Sequence, residues 1–597
     1  MRFTDRLGVW AWGVLGVMAA PAYGLPFNIG PVEGQFDSQF SLGTAWGMAA
    51  RSQHLVGASN GGGAWAASTD DGRLNFKRGE AFTQQFSGTH ALELRYQDSG
   101  LYVRGRYWYD FKLQDQQQAF KDIDDSGRAQ ASRSAGGQLL EAFAWHNYQF
   151  GGQPGAVRVG RQVVHWGEAQ FIGGGIDAIN PPGAALYPTA ASQWRDEAMP
   201  TSLVYAQQGI TDRLSVDGFY QLAWDAAGQR NCGTFFSSSD ALAKGCDANL
   251  ALGANGAQLD AQLAGAGLGA AQRQAALRLL GSSGAPDEGV VARRGSDQEA
   301  RDGGQFGLAV HYHADPLATD FGAYWLNYHS RLPIFSGRAG GGQSLSSALA
   351  SAGVPVSAAL LEALQPSWLA GQASYYVRYP ENIHLYGVSF SSTLPEGTRW
   401  RGELSYRPNA PVQVNWLQVL QASADGQADA GYRRKPLTQL QTSLEHTFDG
   451  GLGADQFTLA GEVGLTHVSG LGGQYYGRDA AFGPAPGQCQ AGSRYCENDG
   501  FTTENAWGYR ARAQWAFYNL LPRLELRPSL AWAHDVKGYA PDPGGNFQEG
   551  RKAVTVGLAA DYQRTYSASL AYTNFFGGKY STVNDRDFLS FTLGLQF

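Results

Sequence analysis

The chain has 597 residues, a length that in a soluble protein means several domains. Its composition is of another kind: Gly contributes 80 residues, Phe, Tyr and Trp contribute 30, 28 and 16, and charged residues make up only 16%, against about 25% in ordinary soluble domains. Hydrophobics at 43% exclude a disordered chain, and a net charge of −7 argues against a nucleic-acid partner. Only residues 8–20 form an extended apolar run, short of the about 20 residues that a membrane-spanning helix needs. What remains is a soluble β-rich protein, or a β-barrel whose lipid-facing residues are hidden in alternation.

At the N-terminus, Arg2 and Arg6 precede the apolar run Gly8 to Ala20 and then Pro21-Ala22-Tyr23-Gly24. A basic start, an apolar middle and a small-x-small end predict a cleaved export signal over residues 1–24, leaving one domain over 25–597.

From Gln35 to Met48 the sequence alternates, with Phe36, Phe40, Leu42, Trp46 and Met48 on one face and Gln35, Asp37, Gln39, Ser41 and Gly43 on the other. Period two over such a length predicts a strand able to cross a bilayer, which takes about 9–11 tilted residues. The same reading gives strands at 35–49, 88–97, 101–112, 137–150, 156–166, 199–209, 213–225, 304–314, 319–330, 382–393, 397–408, 438–449, 455–468, 503–518, 522–536, 551–563, 566–576 and 587–597. Connections from odd to even strands are long, and those from even to odd are turns such as Gln97-Asp98-Ser99-Gly100, Thr211-Asp212 and Pro395-Glu396. That parity belongs to outer-membrane barrels, with short periplasmic turns and long external loops. The expectation is therefore an all-β fold: a transmembrane, antiparallel, up-and-down β-barrel of about 18 strands, with both termini on the periplasmic side.

Two external loops read as helical, 257–280 and, despite Pro355, 344–364. Loop 167–198, rich in Gly and Pro, follows Arg161-Gln162-Val163-Val164-His165-Trp166-Gly167-Glu168 and is of a kind that folds inward to constrict a lumen. The four cysteines form two close pairs, Cys232 with Cys246 and Cys489 with Cys496. In an oxidising compartment local disulfides are the simplest reading; zinc is the rival, although neither pair has the spacer of thiolate zinc ligands. The last strand alternates through Leu589, Phe591, Leu593 and Leu595 to a terminal Phe597. This resembles the signal read by the barrel-assembly machinery.

Several segments together resemble the family of domain-of-unknown-function 1302 proteins: Asp70-Asp71-Gly72-Arg73-Leu74-Asn75-Phe76, Arg104-Gly105-Arg106-Tyr107-Trp108-Tyr109-Asp110-Phe111, the Gly160 to Glu168 stretch, Asn327-Tyr328-His329-Ser330-Arg331-Leu332-Pro333, and Asn574-Phe575-Phe576-Gly577-Gly578 with Asp585-Arg586-Asp587. Where many relatives have Ser after Val-Val, this chain has His165. The resemblance implies a Gram-negative outer-membrane barrel in contact with outer-membrane lipid. It also implies a periplasmic carrier protein and an inner-membrane efflux-type transporter as partners, and the trafficking of a hydrophobic molecule. It assigns no catalytic residue and no cofactor.

Chemical motifs are sparse. Gly57-Ala58-Ser59-Asn60-Gly61 matches a nucleophile elbow, but Gly61-Gly62-Gly63 is a poor helix start, so an outer-membrane hydrolase using Ser59 is the lesser reading. Asp122, Asp124 and Ser126 imitate a calcium loop whose twelfth position is Arg133 instead of Glu. His165, His329 and His446 lack metal-ligand spacing, and no metal is expected. The polar strand faces say more. Arg104, Arg106, Asp110, Glu141, Arg401, Glu403, Arg407, Arg510 and Arg512, with Trp108 and Trp145, are predicted to line the interior as a cargo path. Mixed charges there either brace the wall or set a transverse field along a wet passage. The preferred function is a conduit for a small hydrophobic or amphipathic molecule; the other alternative is a structural or adhesive barrel.

Overall fold

The computed structural model describes residues 24–597 except 185–186, 248–249, 282–288 and 490–493. The expected export signal, Gly24 apart, lies outside the described residues. The barrel strands are β1 (Val32–Gly47), β2 (Ala81–Tyr96), β3 (Ser99–Asp110), β4 (Ala135–Phe150), β5 (Gln153–Gln162), β6 (Thr201–Gly209), β7 (Leu214–Gln221), β8 (Phe306–Ala314) and β9 (Thr319–Tyr328). They continue as β10 (Ile383–Thr393), β11 (Arg399–Gln413), β12 (Tyr432–Asp449), β13 (Gln456–Val468), β14 (Asn505–Leu521), β15 (Leu524–Lys537), β16 (Lys552–Tyr562), β17 (Tyr566–Phe576) and β18 (Phe588–Gln596). Each pairs antiparallel with its sequence neighbours, and β18 returns to β1 from Gln39↔Gln596 to Gly47↔Phe588. The sheet is therefore closed, with eighteen strands in the ring. Phe597 completes the seam: its N–H donates to the Ser38 carbonyl (2.9 Å) and its carbonyl accepts from Ser38 N–H (2.7 Å).

The two faces of the wall differ as period two requires. Outward positions are large and apolar although exposed, as at Leu42 (51%), Val388 (53%) and Val556 (55%). Inward positions are polar although buried: Gln162, Gln221, Glu403, Gln441, Glu462 and Thr573. A soluble protein has the opposite order; a lipid-embedded barrel has this one.

Several strand ends depart from expectation: β2 starts at Ala81 rather than 88, β5 spans Gln153–Gln162 rather than 156–166, and β7 ends at Gln221 rather than 225. Two further departures involve proline. β11 runs to Gln413 rather than 408 and β12 starts at Tyr432 rather than 438, forming a ribbon beyond the ring. Pro408 and Asn409 sit in the register shift between Arg407 and Ala410, opposite Pro436, so residues without an N–H fall where no ladder bond is due. Ahead of β1, Leu25–Ile29 adds a short antiparallel strand through the two-residue turn Gly30-Pro31, with Gly30 at φ +60°; the sequence reading has no strand there. Both predicted helical loops contain helices, each divided in two: Gly256–Gly265 and Ala270–Leu279 part around Gly267, and Leu345–Ser351 and Ala358–Gln372 part around Pro355. A further helix, Trp416–Ala424, is unpredicted.

These loops do not hang free. Leu259, Leu263, Ala276, Phe335, Leu349, Leu364, Trp368, Tyr375, Leu417 and Leu420 share one buried cluster, so the long connections fold into a cap with its own core. Both disulfides form, Cys232–Cys246 with Cα atoms 6.2 Å apart and Cys489–Cys496 with Cα atoms 5.9 Å apart. The first and last long loops are joined by a buried ion pair, Arg73 Nε to Asp585 Oδ2 at 2.8 Å. In the same cap, burial and the neighbouring charge of Asp70 push the Asp240 carboxyl up to about 6.

Two expected outcomes follow from the wall and its parity. An epitope inserted at Gly281, in a long loop, should be antibody-accessible on intact cells, and one at Thr211-Asp212, in a turn, only after the outer membrane is permeabilised. Leu593 lies outward, opposite Leu42 on β1 and Ala568 on β17. Leu593→Arg should cost about 2–4 kcal/mol at mid-bilayer and impair assembly, read as loss of the heat-modifiable folded band.

Candidate functional site: a lumen crossed by an infolded loop

After β5 the chain turns into the lumen rather than out of it. Among its described residues, segment 163–200 carries only one short 3₁₀ turn, Trp194–Glu197, so most of their backbone N–H groups need acceptors from elsewhere. Two wall carboxylates supply them. Glu403 on β11 accepts from the N–H groups of Glu168 (2.5 Å), Ala169 (3.1 Å) and Ile176 (2.9 Å), and from Gln441 Nε2 (3.0 Å). Glu462 on β13 accepts from Gln170 (3.1 Å), Phe171 (2.6 Å) and Ile172 (2.7 Å). The loop carbonyls are met by donors: Arg407 Nη2 reaches those of Gly174 and Gly175, while Gln439 (2.8 Å) and Asn546 (2.7 Å) both reach that of Gly173. Glycine is required for so close an approach. A Cβ at Gly175 would stand 1.7 Å from Glu403 Oε1, and Gly167, at φ +81°, would place one 2.4 Å from Oε2.

Apolar contacts fix the loop on both flanks. Val164, Trp166, Ile176 and Ile179 pack with Leu203, Tyr205, Phe219, Tyr324 and Leu385, from β6, β7, β9 and β10. On the far side Phe171 fits among Ala460, Ala531, Ala533 and Ala553, with the Arg512 guanidinium 5.5 Å from its ring centre. The small alanines leave the space the phenyl fills. Farther along, Ala190 N–H donates to Thr555 Oγ1 (2.9 Å), and the Tyr187 ring lies 6.2 Å from Phe588. Asn180 clamps the two stems, accepting from Val164 N–H (2.9 Å) and donating to the carbonyls of Gln162 (3.2 Å) and Met199 (2.9 Å). The loop thus crosses from one wall to the other.

On the turn side of this crossing, a cavity of 1140 Å³ is lined by inward residues that include Gln149, Gln207, Arg213, His311, His313 and Asp320. On the loop side are recesses of 340 Å³, beside Asp177, Arg331 and Arg407, and of 320 Å³, beside Arg106 and Trp108.

The residues predicted for the interior all lie on inward faces, but they separate into groups. Arg104 pairs with Glu141 at 2.9 Å. Arg106 stacks over Trp108 at 5.0 Å. Asp110 is buried as the cap of helix Phe111–Asp115, accepting from Lys112 (3.0 Å) and Leu113 (3.2 Å) N–H, so its carboxylate is engaged by backbone donors. Trp145 lies toward the turn end under Arg95. Glu403 and Arg407 are spent on the infolded loop, and Arg401 lies 3.8 Å from Glu168 of that loop. Arg510 joins Arg551 on the buried Asp535, at 2.8 and 2.7 Å. No single file of charges connects them. Glu462 and Glu445 are not among the residues predicted for the cargo path, yet both serve the infolded loop; Glu445 accepts from Gln170 Nε2 at 3.0 Å. The available signal was the run Gly173-Gly174-Gly175 in a loop followed by wall glutamates. Ser59 sits in a short 3₁₀ turn, Ala58–Asn60, not between a strand and a helix.

Replacing Glu403 and Glu462 together by Gln sets an amide N–H₂ against backbone donors, each orphaned donor costing about 1–3 kcal/mol. The double variant should assemble but release the loop, giving a larger single-channel conductance in planar bilayers than the parent.

Among solved structures the matches are of low similarity. Acinetobacter baumannii OccAB1 matches at 10% identity and a TM-score of 0.40, covering 94% of this chain and 96% of that one. Pseudomonas aeruginosa OccK1 (OpdK) matches at 11% and 0.37, covering 94% and 98%, and the outer membrane channel DcaP of Acinetobacter baumannii at 5% and 0.35, covering 96% and 100%. No curated protein matches the sequence. The profile of the protein family of unknown function DUF1302 matches residues 6–597, and the chain belongs to that family.

Proposed function

We propose that this protein is an outer-membrane conduit that passes a small hydrophobic or amphipathic molecule through a lumen narrowed by segment 163–200. The observation that carries the reading is the construction of the crossing. A loop is held on wall side chains of the same barrel, with a wet polar cavity on one side and recesses on the other. A barrel serving only as a scaffold has no need of buried carboxylates in its bore, where each uncompensated ion costs several kcal/mol. Energy and direction come from outside the chain, whose sequence holds no phosphate-binding loop. A periplasmic carrier and an inner-membrane transporter are the proposed partners, the carrier docking at the turn end.

The test is reconstitution. Liposomes loaded with an amphipathic dye should release it in proportion to folded barrel, and the Glu403→Gln/Glu462→Gln variant should release it faster. Folded barrels that retain dye both as the parent and with the loop freed would leave a structural barrel. Ester-lipid hydrolysis by the parent, lost in Ser59→Ala, would point to the enzyme reading instead.

A further inference from the structure

The conduit reading leaves the charge of the cargo open, and the 320 Å³ recess on the loop side bears on it. Inward residues of β2 and β3, loop segments 131–134 and 229–236, and Ala184 of the infolded loop form its walls. Among the described residues, three guanidinium groups line it, those of Arg106, Arg133 and Arg230, against one carboxylate, Asp110. That carboxylate is committed: Oδ1 accepts from the N–H groups of Gln84 (3.1 Å), Lys112 and Leu113, and Oδ2 from the Thr83 hydroxyl. The recess is therefore cationic.

Arg106 lacks a charged counterpart among the described residues. Its Nη2 donates to Gln138 Oε1 at 2.9 Å, and its Nε is buried without an acceptor. Its neighbour Arg104 is already bridged to Glu141. A half-buried guanidinium whose buried Nε–H has no acceptor is favourably completed by an anion. The remaining walls are aromatic. Trp108 is fixed by its Nε1–H on the Arg133 carbonyl (2.9 Å), Phe82 stacks on Phe235 at 4.1 Å, and Arg230 lies 5.3 Å over Phe236. The volume is at the small end of ligand pockets, about 300–1,000 Å³.

We infer that this recess is a binding station for a small amphipathic carboxylate, the carboxylate meeting Arg106 and the apolar body lying against Trp108 and the phenylalanines. Planar donors of arginine match a carboxylate edge, and aromatic faces give contact without demanding one shape. The inference rests on the conduit reading for its biological sense, but not for its chemistry.

The experiment uses the purified full-length barrel and two probes that share a naphthalene body, 2-naphthoate and neutral 2-naphthylmethanol, titrated by calorimetry at neutral pH. Naphthoate should bind at least about tenfold more tightly than the alcohol, and Arg106→Gln should remove that preference. Trp108→Leu should weaken both probes alike. Lys244→Gln, a loop lysine paired with Glu299, should match the parent. Should Arg106→Gln fail to assemble, Arg230→Gln provides the same reading, with a several-fold loss for naphthoate alone. Equal affinity for the two probes, or a folded Arg106→Gln barrel that binds naphthoate like the parent, overturns the inference and makes Arg106 a wall brace. Dye release without naphthoate binding sinks the recess and leaves the conduit; naphthoate binding by barrels that release no dye does the reverse.

Discussion

Backbone polarity is the constraint on which everything else here depends. A strand in hydrocarbon has no water for its N–H and C=O groups, so a sheet can cross a bilayer only if its last strand finds its first. In this chain that seam is β18 on β1, and it extends to the final residue, where Phe597 and Ser38 exchange two hydrogen bonds. Once the ring is closed, period two does the rest. Outward side chains must be apolar to meet lipid, as Leu42 and Leu593 do, and inward ones are free to be polar.

The same constraint returns inside the lumen in another form. Segment 163–200 has little secondary structure, so its amides cannot satisfy one another, and the walls crowd out most of the water that would otherwise serve. Glu403 and Glu462 answer six of those amides between them. A carboxylate suits this role because its two oxygens offer about four acceptor sites, and each bond to a charged acceptor is stronger than a neutral one. The cost of burying the ions is offset only while the loop is in place, so loop and anchors form one unit: removing either leaves the other with unmet polar groups. The position of the crossing is fixed chemically by the wall, and sterically by Gly167 and Gly175, where a side chain would strike Glu403.

Much of the architecture was legible in the sequence because its signals are local. Alternation identifies a strand from its own residues, turn parity from adjacent ones, and each of the eighteen barrel strands overlaps a segment that alternation placed, although several ends differ, as where β2 starts at Ala81 rather than 88. The errors fall where locality fails. Pro408, Pro411 and Pro436 read as the ends of β11 and β12, since a proline cannot donate to a ladder, yet the bulge after Arg407 lets the ribbon continue past them. The Leu25–Ile29 hairpin and helix Trp416–Ala424 were missed: the first is short, and the second is stabilised by its packing in the cap rather than by its own pattern. For the interior, alternation correctly gave the facing of each residue but not its partner. Whether Glu403 meets water, an arginine or three residues of a distant loop depends on contacts more than two hundred positions apart, and no local pattern carries that.

Those partners divide the interior charges into two populations with different consequences. Glu403, Glu462 and Arg407 are consumed by the infolded loop, Arg104 by Glu141, and Arg510 and Arg551 by Asp535. The ion pairs cancel at short range, and the amide N–H dipoles around Glu403 and Glu462 offset part of those charges. Arg106 is left with an amide and an indole for company, in a recess where its fellow guanidinium groups outnumber carboxylates. A low-dielectric wall strengthens such an unbalanced charge rather than screening it. In the conduit proposed here, selectivity therefore depends less on how many charged residues face inward than on which of them the infolded loop leaves unanswered.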